Sequence, residues 1–195
     1  MKKDKINLIK EYKKCWGYLY DSRNFFYIIL GIFFSSIILG YLILPPETIY
    51  NQLLEYIQEL IKLTQGKSFS ELIGFIFVNN IKISFFGIFF GIFFGIFPII
   101  ATFMNGYFLG FVSRLTISEN GFSILWHLVP HGIFELPAIF ISFALGLKIG
   151  TFIFQKEKKK TFFNYFWKSI RIFLLIVFPL LVIAAIIESF LIFYS

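Results

Sequence analysis

The stretch "FFYIILGIFFSSIILGYLIL", residues 25–44, carries no charged side chain. A run of about 20 apolar residues matches a helix crossing about 30 Å of hydrocarbon. Within that layer the backbone finds no water, so the segment must satisfy its own N–H and C=O groups as a helix. Further apolar runs fill 70–115, 121–154 and 167–193. The chain therefore reads as an integral membrane protein, all-α and polytopic. Only 15% of its 195 residues are charged, against about a quarter in soluble domains. No soluble domain of useful size is left over.

The segment 1–24 holds seven basic residues against three acidic ones. Its apolar spacing, Lys-rich face, Trp16, Tyr18 and Tyr20 suit an amphipathic helix at the cytoplasmic interface. The net charge of +7 would suggest nucleic acid in a soluble protein. Here the Lys and Arg gather at helix ends, where they set topology and touch anionic lipid. Membrane lipid is thus an expected partner and nucleic acid is not. The single Cys15 excludes an internal disulfide and a Cys-based zinc knuckle, and reads as a spare thiol. The first apolar run lacks a small-residue cleavage site after it and should stay as an anchor.

Residues 25–195 form one membrane domain. Pro45-Pro46 ends the first crossing. Residues 47–65 then space apolar side chains as an amphipathic helix, too polar to span, with Glu47 in its first turn and Gly66 at its stop. Its loop is poor in basic residues and is placed outside, whereas "QKEKKK", 155–160, is placed inside. An odd number of crossings must join them. The run 70–115 is too long for one crossing and is split near 103–106. Residues 121–154 supply a half-helix and a crossing, and 167–193 the last helix, bent at Pro179. The total is five, with a cytoplasmic N-terminus and an external C-terminus. Arg114, Glu119 and Asn120 leave open whether the third crossing is complete or re-entrant.

Within "GIFFGIFFGIF", Gly87, Gly91 and Gly95 recur four apart and would line one helix face, allowing close approach of a helix of this chain or of a second copy. A homo-oligomer, with a dimer favoured, is expected on that basis.

The stretch "HLVPHGIFELPAIF", 127–140, carries His127, His131 and Glu135 four apart. Three readings follow. Two His and a Glu are a zinc ligand set, but Leu128 follows His127 where the metalloprotease motif has Glu, and Pro130, Gly132 and Pro137 interrupt the spacing. Prolines beside intramembrane charge also suit a transport or proton path lined by Glu135 and His131. In the third reading Glu135 accepts hydrogen bonds from His131, Asn79, Asn80 or Asn105 and fixes helix geometry without chemistry. The third is favoured. No serine–histidine–carboxylate set or phosphate loop appears, and no cofactor is expected.

"PHGIFELPAIFISFALGLKIG", 130–150, resembles the signature of the stage II sporulation protein M family. "FIFVNNIKISFFGIFFGIFFGIFPIIATFMNGYFLGFV", 75–112, resembles that family's Asn-Asn helix followed by an Asn-Gly turn. The resemblance implies a membrane scaffold. In spore-forming bacteria the family member recruits cell-wall-degrading partners to the septal membrane and is not itself the hydrolase. The residues that match are Asn79, Asn80, Asn105, Gly106, Pro130, His131, Gly132, Glu135, Pro137 and Ala138. A non-enzymatic scaffold or assembly factor with protein partners of unknown identity is therefore expected. The alternatives are a transporter subunit and an intramembrane metalloenzyme.

Overall fold

The structure, a computed structural model, describes residues 8–120 and 125–194, with side chains described outside 119–133. Eight α-helices are described: α1 (Leu8–Asp21), α2 (Arg23–Leu42), α3 (Glu47–Thr64), α4 (Phe69–Phe89), α5 (Ile96–Asn120), α6 (Leu125–Gly150), α7 (Lys158–Ile172) and α8 (Phe178–Tyr194). No strand occurs among the described residues. Five segments are long and apolar enough to cross a membrane: 23–42, 69–92, 96–118, 134–154 and the continuous rod 158–194.

The centre of the bundle is α6. In its crossing 67% of the residues are buried inside the chain, against 22–39% in the other four. One side of α6 packs Ile139, Phe140 and Phe143 against Ile29 and Phe33 of α2. The other packs Ala138, Leu145 and Ile149 against Ile172, Val177 and Leu181 of the last rod. Lipid is as apolar as these side chains, so close packing rather than escape from water holds the helices. Glycine supplies the closest seams. A Cβ at Gly106 would come 2.6 Å from the Phe33 carbonyl oxygen, and Gly40 lies against the Tyr107 backbone. Helices α2 and α5 thus touch backbone to backbone.

The end of α2 is satisfied by α5. Arg114 donates to the carbonyls of Tyr41 and Leu42, both at 3.1 Å, and the Tyr107 hydroxyl donates to Ile43 O at 2.9 Å. A cation on the last carbonyls of a helix is favourable. This explains an arginine in α5, which at 25 residues is ample for a crossing.

Two expectations from sequence differ from the structure. The long run divides at Phe94 and Gly95, not near 103–106. Both residues have positive φ, 57° and 70°, and close a tight hairpin in which Gly95 is free of Cβ strain. Asn105 and Gly106 instead sit inside α5. The Asn105 amide bonds back to Ala101 O at 2.8 Å, and Gly106 lies in the α2 seam. As a result Gly87, Gly91 and Gly95 do not share one helix: they lie in α4, in a 3-10 turn and in the hairpin. They still face one neighbour, α6. Gly87 meets Phe143, Gly91 meets the Gly146 backbone, and Gly95 meets Leu147. These approaches are all within the chain.

The second difference concerns proline. Helix α6 runs unbroken through Pro130 and Pro137. A proline removes one donor, but a helix embedded in a packed bundle tolerates the loss. In the last rod the irregularity is a π-helical turn, Phe173–Val177, just before Pro179. Pro179 has no N–H for the carbonyl four residues back, Leu175 O. The Tyr12 hydroxyl of α1 donates to that oxygen at 3.2 Å. Helix α1 is therefore tied to the π-helical turn.

Candidate functional site

Glu135 lies on α6 one turn before the tightly packed stretch beginning at Ala138. Its neighbours come from two other helices. The carboxyl of Glu188 on α8 and the side chain of Asn80 on α4 lie beside that of Glu135, and the three share the wall of one cavity. Two carboxyls side by side within the membrane are cheaper with a proton on one of them, which can then donate to the other, than as two charges. Asn80 is buried, and its Oδ1 accepts from the Asn79 amide at 3.3 Å. The Glu188 Oε2 is buried without a partner among the described residues, as are the hydroxyls of Ser84 and Ser189 on the same two helices.

A cavity of about 290 Å³ opens beside this cluster. Asn79, Asn80, Glu135 and Glu188 form its polar wall, and Tyr56, Leu60 and Thr64 of α3 line it as well. Helix α3 has no fully buried residue. Its half-buried side chains Tyr50, Leu53, Leu54, Ile57 and Leu60 follow helical spacing along one face. Tyr50 and Tyr56 stack edge-on against Phe111 and Phe108 of α5, with ring centroids 5.4 Å apart in each pair. A second cavity, about 190 Å³, lies towards α2 and α5 and is lined by Thr102, Asn105, Glu135 and Phe140. Glu135 borders both cavities.

Of the residues singled out in the sequence, Asn79, Asn80 and Glu135 come together at the first cavity, and Asn105 lines the second with Glu135. Gly106 packs on α2 and Ala138 is wholly buried in the core. Pro137 is half-buried within α6. His127, Pro130, His131 and Gly132 lie outside the residues whose side chains are described, so their contacts to Glu135 are outside the description. Among the described residues no three His, Cys, Asp or Glu gather as a metal site. The pairing that sequence reasoning missed is that of Glu188 with Glu135. Glu188 sits on another helix, and nothing in its local sequence points towards Glu135. The one available signal was its being an acid within an apolar run, "VIAAIIESFLIF".

The other polar cluster lies at the opposite end of the bundle, where α1 runs along α7. Glu11 pairs with Lys14 at 2.7 Å and Arg171 at 2.8 Å. The hydrogen bond from Lys14, reinforced by the Arg171 charge, holds the Glu11 carboxyl below its ordinary range. Burial pushes the Cys15 thiol up, which disfavours the reactive thiolate.

No curated protein and no solved structure matches the chain. A family profile does: that of stage II sporulation protein M covers residues 29–191, from within α2 almost to the end of α8. It takes in all five crossings, α3 and the Glu135–Glu188–Asn80 cluster, and leaves α1 before it. The chain belongs to the stage II sporulation protein M family.

Proposed function

We propose that this protein is a non-enzymatic membrane scaffold that recruits partner proteins, with its N-terminus cytoplasmic and its C-terminus external. The observation that carries the reading is the Glu135–Glu188–Asn80 contact. It sets polar side chains of three helices against one another inside the bundle, which would hold α4, α6 and α8 as one frame. Helix α3 is the surface this frame would present. Ile49, Tyr56, Ile61 and Leu63 are exposed on it, as an amphipathic element offered to an interface or partner would be. Self-association, with a dimer favoured, would have to use a face other than the glycine seams, which the chain's own helices fill. Photo-crosslinkers at positions 49 and 61, read in the native membrane, test the scaffold. Discrete protein adducts are expected from α3 and not from a crosslinker at lipid-facing Phe34. Adducts with lipid alone from all three positions would sink it.

A second reading is a transport or proton path. Its support is that Glu135 borders both cavities, so one carboxyl faces two spaces inside the bundle. Flux measurements separate the two readings, because a scaffold conducts nothing.

A further inference from the structure

Between α1 and α7 lies a crevice of about 320 Å³, lined by Lys14, Tyr18, Asp21, Lys168 and Arg171 among others. Lys14, Lys168 and Arg171 face Asp21 there, and Lys14 and Arg171 also pair with Glu11, which leaves the cations in excess by one. Behind them Lys148, only 7% exposed, donates from Nζ to Ser22 Oγ at 2.8 Å and lies 3.9 Å from the Tyr18 ring centroid. Lys168 stands over the same ring at 5.1 Å. Neither lysine has a carboxylate within ion-pair distance among the described residues; the described pairs at this end are those of Glu11 and of Lys160 with Glu157. A buried cation without a counter-ion is costly. Tyr18 lines the crevice and is 8% exposed, and its hydroxyl is buried with no partner of good geometry, as is the neighbouring Ser169 hydroxyl. Burial, reinforced by Tyr165, pushes the Tyr18 phenol up, so it remains a donor. Excess positive charge, unpaired lysines and an orphan donor together call for an anion with several acceptor oxygens.

We propose that this crevice binds the phosphate of an anionic phospholipid headgroup, held by Lys14, Lys168 and Arg171 with Tyr18 at its floor. Arg171 and the lysines supply charge-assisted donors to the phosphate oxygens. The lipid source follows from position. The crevice sits at the bundle end where α2 and the last rod enter the membrane. The inference stands apart from the scaffold reading: it needs only α1 docked on α7.

Native mass spectrometry of the full chain in neutral detergent tests it, titrating phosphatidylglycerol, phosphatidylcholine with the same chains, and inorganic phosphate. One phosphatidylglycerol per chain should be retained in preference to phosphatidylcholine. Lys168→Gln should weaken it about fivefold, and Tyr18→Phe, which keeps the ring, should weaken it by a similar factor. Lys159→Gln removes the same charge from the exposed start of α7 and should leave binding within about twofold. Equal retention of the two lipids, or equal losses from Lys159→Gln and Lys168→Gln, would overturn the site as diffuse surface attraction. Saturation by inorganic phosphate with no lipid preference would overturn the lipid source and assign the phosphate to a soluble compound.

Discussion

At the scale of single residues the site is a pair of neighbouring acids, and the chemistry of that pair decides what substitutions do. Gln at 135 keeps a neutral hydrogen-bonding group of the same shape against Glu188 and Asn80. Ala leaves two buried polar groups without a partner. Glu135→Ala should therefore lower stability by about 1–3 kcal/mol, while Glu135→Gln should cost well under that, both read from thermal unfolding in one detergent. If Gln and Ala were equally damaging, the carboxyl would be acting as a charge rather than as a bonding partner. In the sequence, the polar identity of this site was legible and its membership was not. Glu135, Asn79 and Asn80 stand out because ionisable and amide groups are costly in lipid. That Glu188 meets Glu135 depends on how α6 and α8 pack, which no local pattern encodes. The spacing of His127, His131 and Glu135 drew the eye first, yet the described partners of Glu135 come from α4 and α8.

At the scale of helices, the seams set what each position tolerates. Gly40 and Gly31 both lie in α2. A Cβ at Gly40 would press on the Tyr107 backbone, whereas nothing lies within 4 Å of one at Gly31. Gly40→Ala should thus destabilise by about 1–3 kcal/mol, and Gly31→Ala should be neutral or stabilising by up to about 1 kcal/mol. Melting of the two variants side by side checks this; equal effects would mean α2 and α5 are further apart than the seam requires. Helix α1 carries a pH-dependent tether. Glu11 has its folded value held down by Lys14 and Arg171. Its contribution to docking is present above the ordinary carboxylate range and is lost as pH falls through the depressed folded value. Cys15, the single cysteine and 2% exposed, reports on docking. Its modification by 4,4′-dithiodipyridine, compared with that of Glu11→Gln at the same pH so that the thiolate fraction cancels, should be slower in the parent at neutral pH and should converge on the variant's rate as pH drops below that range. A ratio of the two rates that does not change with pH would remove Glu11 as the tether.

Element existence was plain in the sequence because long apolar runs and two amphipathic stretches leave little choice. Helices α1 and α3 fall where the spacing put them. The α4–α5 hairpin was hidden because its turn is built from Phe and Gly within "FFGIFFGIF", with no polar residue to mark it. Asn105-Gly106 looked like a turn and is a helix seam, since in a membrane small and amide residues serve packing as readily as reversal.

At the scale of the whole molecule, five crossings would put the two termini on opposite sides, with the basic residues of α1, of 155–160 and of α7 at one end and Glu47, Glu55 and Glu59 of α3 at the other. Reporter fusions should place the 155–160 loop inside and the C-terminus outside; a cytoplasmic C-terminus would contradict five crossings. The frame itself faces one decisive question, whether the interior acids hold helices or pass something between two cavities. The most direct measurement is passive proton and small-solute flux in proteoliposomes of the purified chain, parent against Glu135→Gln, with fold checked by melting. A scaffold gives flux no greater than empty liposomes and no difference between the two proteins. Flux in the parent that Glu135→Gln abolishes while the fold remains intact would contradict the scaffold and make Glu135 part of a path.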